Sequence, residues 1–257
     1  MACYLIDLDG TIYRGREPLP CAAAFIEYLS RTRQPYRFLT NAPEKSPREI
    51  ERKLRGLGVP APKGAVITSS ILAVDYIKEL SPKNDHPRTA VFGTAFLRRY
   101  AALRGLSLTE ENPEFLLMSF SEKLTMGDVQ RACGLIRQGA RFLATNPDDL
   151  IPSEEGPLPH LGGILQAITA ATGVQPLIAG KPSAHLRQYF THLFQCRAEE
   201  IRVIGDRLDT DMGFARNCGF QAWLLLTGST TPEEAARNPA DFDRCFCGMQ
   251  EIMEERP

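Results

Sequence analysis

In Cys3-Tyr-Leu-Ile-Asp-Leu-Asp-Gly-Thr11, a short apolar run breaks into two acids, a glycine and a hydroxyl. A run this short, ended by turn residues, reads as a buried strand of a parallel sheet rather than a helix. The same pattern repeats on either side of helical stretches. Strands are expected at 36–40, ended by Asn41-Ala-Pro43, and at 65–68, with helices over 21–31, 46–57 and 70–80. In the second helix Ser46 is a plausible N-cap, Pro47 sits in the first turn and Gly58 lies just past the end. Strands alternating with helices of this length predict a doubly wound parallel α/β sheet with right-handed crossovers.

After Ser81-Pro-Lys-Asn-Asp-His-Pro87 a fresh alternation begins. It runs strand 89–92, helix 94–104, strand 115–119, helix 125–138, strand 141–144 and helix 162–172. A third series resumes at 177–179, 201–205 and 222–227, and the tail after Thr231 is polar and uninformative. The expected organisation is a core formed by 1–83 and 177–257, with 84–176 inserted as a second α/β domain.

The 257 residues carry 30 Lys and Arg against 31 Asp and Glu, a net charge of −1, with 43% hydrophobic and 24% charged residues. This excludes disorder and coiled-coil composition, and it offers no basic footprint for nucleic acid or an anionic membrane. No uncharged apolar run approaches the ~18 residues of a spanning helix. Asp7 and Asp9 interrupt the place where a signal peptide needs apolar residues, so a cytoplasmic protein is expected. The seven cysteines (3, 21, 133, 196, 218, 245 and 247) are scattered, and Cys245-x-Cys247 lacks the partners of a zinc site. They read as reduced small hydrophobes.

Four polar places directly follow apolar runs: Asp7-x-Asp9-Gly10-Thr11, Thr40-Asn41, Gly180-Lys181-Pro182, and Gly205-Asp206 with Asp211 beyond. At the carboxyl ends of parallel strands all four can converge on one sheet edge. Clustered carboxylates need a cation, and oxygen ligands favour Mg²⁺, which binds one or two carboxylates together with a phosphate. A lysine supplies a point charge for phosphate, while hydroxyl and amide groups hold its oxygens. An aspartate beside the cation can attack phosphorus, and a second can serve as acid and base. The set therefore implies phosphoryl transfer through a covalent intermediate.

In these motifs the chain resembles the haloacid dehalogenase superfamily of phosphatases. The signature stands as Asp7-Leu-Asp-Gly-Thr11, followed by Thr40-Asn41, Gly180-Lys-Pro-Ser183 and Gly205-Asp-Arg-Leu-Asp-Thr-Asp211. The long stretch between Asn41 and Lys181 falls where that superfamily carries its large C2 cap on a Rossmann-like core. Thr11-Ile-Tyr-Arg-Gly15, Ala144-Thr-Asn-Pro-Asp148 and Leu226-Thr-Gly-Ser-Thr230 bring the likeness closer to the NagD and p-nitrophenylphosphatase branch. The resemblance implies Asp7 as nucleophile and Mg²⁺ ligand, and Asp9 as general acid and base that reaches the metal through its carbonyl. It implies Thr40 and Asn41 as holders of phosphate oxygens, Lys181 as the charge-offsetting cation and Asp206 as a metal ligand. Asp211 is left as a ligand through water or a partner of Lys181. The expected substrates are small phosphate monoesters such as nucleotide, sugar or glycolate-like phosphates, with p-nitrophenyl phosphate accepted in vitro. A homo-oligomer stays open.

Taken singly, each motif has a structural reading: a turn for Asp-x-Asp, a loop start for Thr40-Asn41, a surface charge for Lys181, and helix caps for Asp206 and Asp211. Their joint order favours catalysis. Asp209 is expected to be a solvated or capping residue. In the inserted domain Asn146, Asp148 and His160 are candidate contacts to the leaving group. His160 stands where the branch usually has glycine, and Ala42 stands where it often has a second asparagine. A carbon–halogen hydrolase would not need Asp9. A phosphomutase, or a binding protein that keeps the scaffold with little catalysis, would use the same residues.

Overall fold

The computed structural model describes residues 2–151 and 156–254. Its elements in chain order begin with β1 (Cys3–Ile6), a hairpin of β2 (Tyr13–Arg14) and β3 (Glu17–Pro18), α1 (Ala22–Arg31), β4 (Tyr36–Thr40), α2 (Pro47–Gly56) and β5 (Val66–Thr68). Next come α3 (Ser69–Leu80), β6 (Arg88–Phe92), α4 (Ala95–Leu103), β7 (Ser107–Leu108), β8 (Phe115–Met118), α5 (Met126–Arg137) and β9 (Arg141–Ala144). A hairpin of β10 (Leu150–Ile151) and β11 (Leu158–Pro159), then α6 (Leu161–Thr172) and β12 (Leu177–Ile178), follow. The chain ends with α7 (Leu186–Phe194), β13 (Ile201–Gly205), α8 (Gly213–Cys218), β14 (Gln221–Leu225), α9 (Pro232–Arg237), β15 (Arg244–Phe246) and α10 (Met249–Glu254). No helix among the described residues is long and apolar enough to cross a membrane.

Contacts divide the chain into two compact units, 1–40 with 47–67 and 181–257, and 41–46 with 68–180. The first unit is built on a sheet of order β15-β14-β13-β1-β4-β5. Its pairings from β15 to β4 are parallel, with Leu5 opposite Val203 on one side and Arg37 on the other. The strands are almost wholly apolar because a parallel sheet is covered on both faces. Alternate residues Tyr4 and Ile6 of β1 join Phe38, Ile204 and Trp223 under α1 and α2, where Phe25, Leu29, Ile50 and Leu54 are buried. Each such side chain contributes about 1.5–3 kcal/mol of burial. The chain runs outward from β1 to β5 in one direction, then restarts at β13 and runs outward to β15 in the other. The switch point therefore lies between β1 and β13.

The second unit has its own parallel sheet, β12-β9-β8-β6-β7. Leu116 and Met118 of β8 face α5 and α6 with Ala132, Ile136, Leu165 and Ile168. Phe115 and Leu117 face the other way, toward Ala73, Val74 and Ile77 of α3 and Leu97 of α4.

This division corrects the boundaries expected from the sequence. Leu177 and Ile178 pair with Leu143 and Ala144, so the strand that was to reopen the first sheet instead closes the second. Helix α3 packs on the second sheet, and the polar stretch 81–87 is a loop inside that unit rather than its border. Alternation announces each strand, but it does not say which sheet a two-residue strand will join. The tail also proves structured. Thr231 and Glu234 form a capping box at the start of α9. β15 then pairs with β14, and Phe246, Met249 and Ile252 complete the first core.

Candidate active site

The switch point brings Asp7 behind β1 beside Asp206 behind β13, the crevice where doubly wound sheets bind ligands. Thr40 ends the neighbouring β4 and is buried. Lys181 supplies the centre of the cluster. Its Nζ donates to Asp7 Oδ1 at 2.6 Å, to Asp211 Oδ1 at 2.5 Å and to the Leu39 carbonyl at 3.3 Å. The second oxygen of Asp211 accepts the Arg207 backbone N–H at 3.2 Å. Of the alternatives left open for Asp211, the structure shows the partnership with Lys181.

Asp206 is held from the opposite side. Ser229 N–H donates to its Oδ2 at 2.5 Å, and Thr230 N–H donates to its carbonyl at 3.1 Å. The Thr227 hydroxyl reaches the Gly10 carbonyl at 2.6 Å. A Cβ on Gly10 or Gly228 would strike the Asp206 carboxylate, and one on Gly205 would strike that of Asp211. Gly10 also has φ +82°, so the signature glycine is required by both space and backbone.

Ligand oxygens of Asp7, Asp206 and Asp211 lie within 4.8 Å of one another. One ammonium cannot hold three enclosed carboxylates fully ionised, and the titration of Asp7 and Asp206 reflects this. Burial pushes Asp7 well above the usual carboxylate range; Lys181 opposes the shift, while Asp211 and Asp206 reinforce it. Burial, aided by Asp211, pushes Asp206 up to about 6. Burial alone would lower Lys181, but Asp211 and Asp7 override it and keep the side chain an ammonium. Asp206 Oδ1 is buried and accepts no hydrogen bond among the described residues. A buried carboxylate oxygen without a donor, facing other acids, is a site for a hard cation. The donor set therefore fits Mg²⁺, with Asp7 and Asp206 as the acids able to hold it.

Asp9 stands apart from this group. It is exposed, it bridges to Tyr13 across the turn, and the Tyr13 hydroxyl donates to its carboxylate. Asp209 is neutralised by Arg207 at 2.7 Å, as expected of a residue outside the cluster. Ser229, whose N–H holds Asp206, and Tyr13, whose hydroxyl meets Asp9, stand outside the four motifs of the sequence. The Thr227-Gly-Ser-Thr230 turn behind a strand was the available signal for the first.

Asn41, Asn146, Asp148 and His160 all fall in the second unit, where they meet one another. Asn41 Nδ2 and Asn146 Nδ2 donate to Asp148 Oδ2 at 2.9 and 2.8 Å. Asn146 Nδ2 also lies 3.2 Å from His160 Nδ1, and His160 Nε2 lies 2.7 Å from Glu44 Oε1. Asn146 is wholly buried and the His160 side chain is 1% exposed, so the polar atoms expected to face a leaving group are used inside the unit. Glu44 carried no signal in the sequence.

Comparison with known proteins agrees with the core geometry. The haloacid dehalogenase-like hydrolase family matches residues 4–107, and a related HAD-hydrolase-like family matches 178–247. An acid sugar phosphatase of Staphylococcus epidermidis is 35% identical over 90% of this chain and 88% of its own. The crystal structure of a 4-nitrophenylphosphatase from Thermotoga maritima superposes with a TM-score of 0.92 at 34% identity, covering 99% of this chain and 97% of that one. A glycerol phosphate phosphatase from Mycobacterium tuberculosis, solved with magnesium, gives 0.88 at 31% identity over 98% and 76% of the two chains. With acids, lysine and cradling glycines in the places described, and with relatives of this closeness, the chain belongs to the haloacid dehalogenase-like hydrolases of the NagD and p-nitrophenylphosphatase type, and it is a phosphatase.

Proposed function

We propose that this phosphatase hydrolyses small phosphate monoesters through an aspartyl-phosphate on Asp7, with Mg²⁺ as its cation. The observation that carries the reading is the asymmetry within the acid cluster. Asp7 is tied to Lys181 through one oxygen, while the inner oxygen of Asp206 lacks any donor among the described residues. When bound, Mg²⁺ would offset the charge of Asp7, Asp206 and the phosphoryl oxygens. The magnesium complex of the related glycerol phosphate phosphatase supports this choice of ion.

The Asp7 oxygen not bonded to Lys181 attacks phosphorus, forming the acyl-phosphate bond as the ester P–O bond breaks. Lys181 holds Asp7 in register and offsets charge on the transferring group. Asp9, exposed and held by the Tyr13 hydroxyl, gives its proton to the departing alkoxide. It then takes a proton from the water that attacks phosphorus, which releases inorganic phosphate and restores the Asp7 carboxylate. The Thr40 hydroxyl holds phosphoryl oxygens, and Asn41 is proposed as a second holder from its place beside Thr40 in the chain. The class of substrate rests on the relatives, one an acid sugar phosphatase and another a glycerol phosphate phosphatase.

Phosphate release from a panel of sugar, glycerol, nucleoside and glycolate-like phosphates, with and without Mg²⁺, tests the reading. Asp7→Asn should lose at least about 10³-fold in kcat against p-nitrophenyl phosphate. Turnover that persists near wild type without Asp7, or in excess EDTA, would overturn the proposed mechanism.

A further inference from the structure

The second unit contains a chain of side-chain hydrogen bonds that starts and finishes on the same short segment. It runs from Asn41 to Asp148, back through Asn146 to His160, and out to Glu44. Both ends lie in 41–46, the stretch that follows Thr40 directly.

The donors and acceptors fix where the protons sit. Asn146 Oδ1 accepts from the Thr145 hydroxyl at 2.9 Å, which leaves Nδ2 with two hydrogens for two neighbours. One goes to Asp148 Oδ2 at 2.8 Å and the other to His160 Nδ1 at 3.2 Å. Turning the amide over would set its oxygen against the Asp148 carboxylate, acceptor against acceptor. His160 Nδ1 is therefore the lone-pair nitrogen, and Nε2 carries the proton that meets Glu44 Oε1 at 2.7 Å. The ring is fixed by Phe120, whose centroid lies 4.3 Å away. The backbone of the segment is held as well: Ser69 Oγ donates to the Asn41 carbonyl at 3.0 Å and Ser70 Oγ to that of Pro43 at 2.8 Å. A Cβ on Gly180 would come within 2.6 Å of Asn41 Oδ1, so glycine there leaves the room the amide occupies.

We propose that His160 is a positioning residue: by holding its proton on Nε2 for Glu44 and accepting from Asn146 on Nδ1, it closes a belt that fixes 41–46 and, through the Thr40–Asn41 peptide bond, the end of β4. The inference rests on the phosphatase reading, in which Thr40 holds phosphoryl oxygens. Such a contact acts on bound substrate and transition state alike, so loosening it should raise KM more than it lowers kcat.

The test uses the full-length chain and p-nitrophenyl phosphate. In ¹⁵N-histidine spectra near neutral pH, His160 should show a protonated, slowly exchanging Nε2 and an unprotonated Nδ1; a proton on Nδ1 overturns the belt. His160→Ala and Glu44→Ala should each raise KM about three- to ten-fold with kcat within about two-fold, and the double variant should be no worse than either alone. Glu44→Gln keeps an oxygen for Nε2–H and should restore KM to within about two-fold of wild type. It also covers the case in which His160→Ala does not fold. Independent, multiplying effects, or unchanged KM in Glu44→Ala, would overturn the proposal while wild-type turnover and its loss in Asp7→Asn left the phosphatase reading intact. A wild-type chain that released no phosphate would remove both.

Discussion

The two polar clusters of this protein differ in how their hydrogen bonds close. Around Lys181 three acids cluster, two of them bonded to its ammonium, and an inner oxygen of the third, Asp206, accepts nothing among the described residues. Around His160 both amide protons of Asn146 meet acceptors, Asn41 donates to Asp148, and the imidazole uses both nitrogens. An incomplete cluster costs stability and is kept where a ligand completes it, whereas a closed one rigidifies what it touches. Chemistry is accordingly proposed for the first and positioning for the second.

The contrast can be broken most severely at its central charge. Lys181→Met would leave Asp7 and Asp211 buried without their cation. Equilibrium urea unfolding should report a loss of about 3–5 kcal/mol, and activity should fall to background. A loss under about 1 kcal/mol would mean that the acids do not depend on it. Gly10→Ala should cost about 1–3 kcal/mol, from the collision with Asp206 together with the positive φ, and should weaken cation binding measured by calorimetry. Unchanged Mg²⁺ affinity would show that Asp206 is not a ligand.

Proton and cation should compete at Asp206. Its carboxyl titrates near 6 rather than 3.8, so without cation its contribution to stability is complete below about pH 4 and is lost as the pH rises through 6. The proposed Mg²⁺ would need the deprotonated form. Scanning fluorimetry should therefore show a larger Mg²⁺-induced rise in Tm near pH 7.5 than near pH 5, the rise at pH 7.5 reflecting a stabilisation that approaches about 2.7 kcal/mol at a hundredfold excess over Kd. An equal rise at both values would contradict a cation on Asp206. The smallest effect is expected just outside the cluster. Asp209→Ala removes an exposed partner of Arg207 and should leave both kcat and stability within about 0.5 kcal/mol of wild type.

The first-unit acids were legible because each stands behind an apolar run, and parallel topology carries those run ends to one edge. What was less legible depends on distance in three dimensions. The boundary at 177 was misplaced because Leu177 and Ile178 suit either sheet, and only their register beside Leu143 decides. The tail was passed over since β15 has a single buried residue, Phe246, and its apolar signal is correspondingly faint. The polarity of Asn146 and His160 is legible in the sequence, but their partners are not, because a sequence does not show that a residue such as Glu44 lies within 2.7 Å. Nothing in the sequence gives the reason for Gly228, whose need comes from the Asp206 carboxylate packed against it.

The cradle around Asp206 draws on residues from Gly10 to Ser229, which makes catalysis a late event in the life of the polypeptide. A ribosome that has delivered Asp7, the strand ending at Thr40 and even Lys181 has still not assembled the acid cluster. Until the Thr227–Ser229 turn emerges and closes over β13, Asp206 lacks its backbone donor and the site proposed for the cation is unfinished, so a stalled or prematurely terminated product should be inert toward phosphate esters.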